Sequence, residues 1–273
     1  MYNFLIRLFE SKEEPFEIAF LNFFHILFLT VIVGLTIALA FYLHKHEEKK
    51  KPALRLLAYS LVVVYLSDFF FQPFMSSDFT MNIDKLPFHI CTVLCPVVAF
   101  TEFNAKFDKI REPVAFLSIV GPLMYLVYPG NAIGEISPFC YQIIQTFVYH
   151  GLLFSWGLNT LASGQFVPNI RNWYKSLIGI CLVASWATIG NLAYNTSYLG
   201  KDPNAHHYDW FFLTGTTFPF VPPYLMPLAV IAAVLGMVMI IYGLYYLYMH
   251  LCKKQAVKTE IKEAMENEYE YQA

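Results

Sequence analysis

Residues 18–43 read IAFLNFFHILFLTVIVGLTIALAFYL, a run without a single Asp, Glu, Lys or Arg. Roughly 20 apolar residues cross the hydrocarbon core of a bilayer at about 1.5 Å of helix rise each. The run ends in HKHEEKKKP at 44–52, where the chain must leave an apolar medium. Residues 18–43 are therefore expected to be a transmembrane helix.

Six further apolar runs follow at 53–72, 86–103, 113–128, 138–161, 174–195 and 224–250. Together they exceed what one globular core could bury. The sequence predicts an all-α polytopic membrane protein, a single bundle of seven transmembrane helices over residues 1–252. The fourth run is short and interrupted by Gly121-Pro122, so a tilt, a kink or partial re-entry is expected there. Residues 253–273 form a polar tail rich in Glu, with Glu260, Glu263, Glu266, Glu268 and Glu270. Ahead of the first run, Phe4, Leu5, Leu8 and Phe9 make a short amphipathic stretch suited to the membrane interface.

Composition agrees. The chain is 57% hydrophobic, 18% aromatic and 14% charged, where a soluble domain carries about a quarter charged residues. A net charge of −2 offers no basic field for nucleic acid. Cys91, Cys95, Cys140, Cys181 and Cys252 all lie in or at the ends of apolar runs, unlike a secreted disulfide framework.

Lys and Arg mark sidedness, because they collect in cytoplasmic loops. Lys45, Lys49, Lys50, Lys51 and Arg55 follow the first run, Lys106, Lys109 and Arg111 the third, and Arg171 and Lys175 the fifth. The tail adds four more. Of the 18 basic residues only Arg7, Lys12, Lys85 and Lys201 fall on the other side. An odd number of spans then puts the N-terminus outside and the C-terminus in the cytoplasm, in the cell membrane.

Polar groups within such runs cost about 2.5–3.5 kcal/mol each even on lenient insertion scales, so each asks for a reason. Tyr65, Asp68 and Gln72 share one helical face, as do Gln142, Thr146 and His150, and Thr188, Asn191 and Asn195. Cys91 and Cys95 sit one turn apart. Many such groups only tie helices together, and a buried Cys behaves as a small hydrophobe. His25 reads as packed, and His206 and His207 as surface residues beside Asp209.

Three segments resemble one family. Leu86-Pro87-Phe88-His89-Ile90-Cys91, Gln145-Thr146-Phe147-Val148-Tyr149-His150-Gly151 and Asn191-Leu192-Ala193-Tyr194-Asn195-Thr196-Ser197-Tyr198 are similar to segments of the YwaF-like bacterial membrane proteins and their animal relative, transmembrane protein 164. Phe88 stands where bacterial members commonly show Leu. The animal relative is a phospholipid acyltransferase that uses a Cys and a His. The resemblance implies Cys91 as nucleophile and His150 as its base.

Chemistry supports two main readings. In the first, His150 takes the thiol proton, Asp68 or Gln142 orients the imidazole, and Asn191, Asn195 or Tyr198 donates to the oxyanion. Cys91 lies only about 8 Å of helix rise below the outer surface, beyond the reach of cytosolic acyl-CoA. The expected donor is therefore a membrane phospholipid and the acceptor a lysolipid or other membrane alcohol, or water if the enzyme is a lipase, with no cofactor. His150 lies roughly 6–10 Å deeper by the same measure, a gap that helix tilt or a kink at Pro138 must close. In the second reading, Asp68, His150, Asn191 and Asn195 line a path or binding site for a small polar solute. A metal site at Cys91, Cys95, His89 and His150 is not expected, since His89 is roughly 200° around the helix from Cys91. A structural or assembly role is the remaining class.

Overall fold

The computed structural model describes residues 18–71, 83–129, 137–199, 208–213 and 220–272. Among the described residues seven α-helices form, with no β-strand. They are α1 (Phe23–Lys45), α2 (Lys50–Phe71), α3 (Ile90–Phe103), α4 (Arg111–Val127), α5 (Tyr141–Ala162), α6 (Trp173–Leu199) and α7 (Met226–Gln272). Each corresponds to one apolar run of the sequence. The amphipathic Met1–Phe9 stretch, His206 and His207 lie outside the described residues.

Local chemistry fixes the helix starts. Asn22 caps α1 by accepting the His25 amide at 3.0 Å, so the helix begins at Phe23 although the apolar run begins at Ile18. Pro52 and Pro113 each stand third in their helices, where an amide would have no intrahelical acceptor anyway. Pro87 keeps residues 86–89 out of helix, and α3 starts only at Ile90.

Five helical segments, those of α1, α2, α4, α6 and α7, are long and apolar enough to cross a membrane. The other two fall short for different reasons. α3 has 14 residues, about 21 Å of rise, against a core of about 30 Å. α5 has 22 residues but carries Gln142, Gln145, Thr146, His150, Ser155 and Asn159. The two short-falling helices are the ones that carry Cys91 and His150.

α4 corrects one expectation. It runs unbroken through Gly121-Pro122 from Arg111 to Val127, where the sequence suggested an interruption. Residues Val114 to Pro122 are all buried, and α3, α5, α6 and α7 surround the helix. Dense packing on all sides supports the one hydrogen bond that proline removes. In the apolar window of α4 72% of residues are buried, against 11% in α1. α4 is the hub, and α1, α2 and α7 form the rim.

That rim is apolar outward: Leu35, Phe41, Leu56, Leu66, Leu228 and Leu244 are all exposed. An apolar surface of this extent belongs against lipid. The polar stretch after Cys252 continues α7 without a break to Gln272.

The bundle has two unlike ends. At one, α1, α3, α5 and α7 begin. His25, buried at the start of α1, donates from Nε2 to Leu126 O at 2.8 Å and accepts the Leu21 amide at Nδ1, at 3.0 Å. Its role is to pin α1 to the end of α4. At the other end lie Lys45, Lys106, Lys109 and Arg171.

Small residues let the central pair approach. A Cβ on Gly157 of α5 would stand 2.7 Å from Ala115 O of α4, closer than any real contact. Gly157→Ala must push the two helices apart and is expected to destabilise the fold by about 1–3 kcal/mol. Gly236→Ala, with nothing within 4 Å, should leave it unchanged or gain up to about 1 kcal/mol of helix propensity. Denaturant midpoints of the two variants in detergent check the contrast; equal midpoints would contradict it.

Candidate functional site

The site is built where α3 begins. Its first helical hydrogen bond runs from Val93 N–H to His89 O at 2.9 Å, and no side chain caps the helix at His89. Cys91 thus sits in the first turn, among amides that have no intrahelical acceptor. That end of a helix carries partial positive charge. The side chain is buried, and its Sγ lies 3.3 Å from where a Cβ on Gly121 would stand. Gly121, expected to break α4, instead makes room for the thiol.

His150 projects from α5 onto Tyr125 of α4. Its Nδ1 lies 2.8 Å from Thr146 O. A carbonyl only accepts, so Nδ1 must carry the proton. In the neutral ring Nε2 is then unprotonated, and it makes no hydrogen bond among the described residues. The ring is stacked on Tyr125 of α4, with centroids 4.0 Å apart and planes at 12°. Tyr125 follows Gly121 by one turn on the same face of α4.

Tyr149, next to His150, completes the link. Its hydroxyl donates to Cys91 O at 2.8 Å and also meets the Cys95 thiol. Cys91 thus contacts α4 at Gly121 and α5 through Tyr149, and His150 contacts α4 at Tyr125. Neither tyrosine stood out in the sequence, where both looked like ordinary members of an aromatic-rich chain. The spacing of Gly121 and Tyr125 was the available signal.

The remaining predicted residues are distributed differently. Asp68 is buried at the end of α2, and its Oδ2 pairs with Lys85 Nζ at 3.0 Å. Its Oδ1 has no partner among the described residues. The atom that orients His150 is thus the Thr146 carbonyl, while Asp68 faces Lys85. Gln142 stands two turns from His150, about 12 Å of rise along α5. Tyr198 ends α6, with its side chain outside the described residues.

Asn191 and Asn195 act as a pair. Asn191 donates to Trp210 O at 3.1 Å and accepts the Trp210 amide at 2.9 Å. Asn195 does the same to Tyr208, at 2.8 and 2.9 Å. One turn apart, the two amides offer the returning chain a ladder like that of a neighbouring strand. His89 adds a third clamp by accepting the Phe211 amide at 3.3 Å. The held segment buries Trp210 completely, against Phe88, Tyr194 and Tyr208. Phe211 and Phe212 have φ of 62° and 55°, a conformation that costs non-glycine residues about 1–2 kcal/mol each. The clamps hold it in place, and residues 208–213 close the end of the bundle above Cys91.

No set of three or more His, Cys, Asp or Glu side chains gathers as a metal site among the described residues. The model of the TMEM164 family matches residues 20–246, from the start of α1 to near Tyr246 in α7. That span takes in Cys91, His150 and the residues described around them. The chain belongs to the TMEM164 family. It is a membrane protein, as the family and its five membrane-length segments agree. No curated relative matches the chain, and no solved structure does.

Proposed function

We propose that this TMEM164-family protein moves an acyl chain from a membrane phospholipid to a lysolipid through a thioester on Cys91. One observation carries the reading. The Nδ1–H of His150 is tied to Thr146 O, which leaves a bare Nε2 on a ring stacked on Tyr125, one turn from the glycine that Cys91 touches. A thiol at a helix start beside a base of fixed tautomer is the equipment of nucleophilic acyl transfer.

The steps follow from these groups. His150 Nε2 takes the thiol proton, and Sγ attacks the ester carbonyl carbon of the donor lipid. The tetrahedral intermediate collapses, and the leaving alkoxide takes the proton from His150. A hydroxyl of the acceptor then passes its proton to Nε2 and attacks the thioester. Cys91 leaves as thiolate and recovers the proton.

The acyl donor follows from depth. α3 falls about 9 Å short of the bilayer core, so Cys91 at its start lies within about 9 Å of the hydrocarbon boundary. Glycerolipid esters lie at that boundary. Non-helical backbone is tolerated at this depth only where protein buries it, as residues 208–213 do above the site. The end carrying the site faces outside and the basic end faces the cytoplasm, so soluble acyl-CoA is not needed. Purified protein in liposomes, without CoA, should redistribute a labelled acyl chain from phosphatidylcholine to lysophosphatidylethanolamine. Exchange only on addition of acyl-CoA overturns the reading.

Sidedness has its own test. A membrane-impermeant maleimide on intact cells should label Tyr224→Cys, whose parent side chain is 79% exposed at the site end, and spare Lys109→Cys. Labelling of position 109 reverses the orientation.

A further inference from the structure

We propose that the hydroxyl of Tyr125 donates the hydrogen bond that stabilises the oxyanion at Cys91, an inference that rests on the acyl-transfer reading above.

Any attack by Sγ on an ester turns a carbonyl oxygen into an oxyanion, which in an apolar site needs a fixed donor. The polar side chains around the thiol are nearly all engaged. Tyr149 donates to Cys91 O and Tyr65 to Lys85 O, at 2.8 and 3.1 Å. The Tyr141 and Ser67 hydroxyls bond each other at 2.9 Å. Asn191 and Asn195, the donors expected from sequence, are clamped to the backbone of Trp210 and Tyr208.

Tyr125 differs. It is partly buried, and its hydroxyl makes no hydrogen bond among the described residues. The oxygen is not sealed off by protein, so a bound group can reach it. The ring lies on α4 one turn beyond Gly121, whose surface the Cys91 thiol touches. It also lies flat against His150. A carbonyl carbon approaching Sγ would bring its oxygen into this region, where the free phenol can donate to it. The same ring face stabilises His150 once it has become an imidazolium. Phenylalanine keeps that stacking and removes only the donor.

The test separates attack on a carbonyl from attack on saturated carbon. Full-length protein in detergent is treated in parallel with p-nitrophenyl decanoate, which acylates through an oxyanion, and with iodoacetamide, which alkylates without one. Both adducts on Cys91 are followed by mass spectrometry. In Tyr125→Phe, acylation of Cys91 should fall about 10²- to 10³-fold while its alkylation rate and pH profile stay as in wild type. A proportional fall in both rates assigns Tyr125 to holding His150 and overturns the proposal, as does no fall in either. Tyr125→Leu, which loses the stack as well, should slow both reactions. If wild-type Cys91 is alkylated but never acylated, the acyl-transfer reading itself fails and takes this inference with it.

Discussion

Cys91→Ala and His150→Ala each lower acyl exchange in liposomes by roughly 10⁴-fold or more, and the double substitution loses scarcely more than either alone. The magnitude is that of removing one member of a nucleophile and base pair that acts as a unit. Non-additivity is the stronger part of the expectation, because two independent binding residues would multiply their losses. Cys91→Ser is nearly as inactive, since a serine hydroxyl beside the same imidazole is far harder to deprotonate than a thiol. Cys95→Ala keeps most of the exchange. That thiol is almost fully buried one turn deeper on α3 and meets the Tyr149 hydroxyl, so its loss leaves only a small gap. All five variants should unfold near the wild-type midpoint. Retention of exchange by Cys91→Ala excludes a thioester, and an additive double substitution separates the two residues.

How much of this was legible differs between levels. Helix number and position followed from the apolar runs, because lipid demands long uninterrupted apolar segments. Helix starts did not, since Asn22 and Pro87 act by capping and steric exclusion where hydropathy is unchanged. Gly121-Pro122 reads locally as a break, and packing around α4 overrode it. The Cys91 and His150 pairing came through a family resemblance. The contacts that join them, through Gly121, Tyr125 and Tyr149, depend on which faces of α4 and α5 meet. Asn191 and Asn195 show a shared face by their spacing, yet nothing local reveals that residues 208–210 return to fill their hydrogen bonds. Arg111 and Lys85 entered only as charges on one side or the other. A count of charges is blind to which of them are buried.

Arg111 shows what that blindness conceals. Its guanidinium donates to Glu102 Oε1 from Nη1, and to Thr101 O and Asp108 Oδ1 from Nη2 at 3.0 and 2.9 Å. Glu102, 4% exposed, also accepts from Trp156 Nε1 at 3.2 Å. The adjacent Glu112 ties α4 to α7 and to the turn before α6, accepting from Tyr242 Oη at 2.9 Å, Asn169 N–H at 2.8 Å and Asn172 Nδ2 at 2.6 Å. Two charged residues in sequence thus lock four helices at the basic end. Arg111→Ala leaves the Glu102 carboxylate buried without its cation and should cost about 3–5 kcal/mol. Arg111→Lys should recover little of this, because an ammonium cannot reach three acceptors as the planar fork does. Glu102→Gln with Arg111→Met removes both charges and should restore most of the lost stability, since a balanced apolar replacement carries no stranded ion. The exposed pair Lys50 and Glu47 serves as control, and Glu47→Ala should cost well under about 1 kcal/mol. Denaturant midpoints of these variants decide the matter. If Arg111→Ala unfolds no earlier than Glu47→Ala, water reaches Glu102 and the basic end is not the closed lock its hydrogen bonds describe.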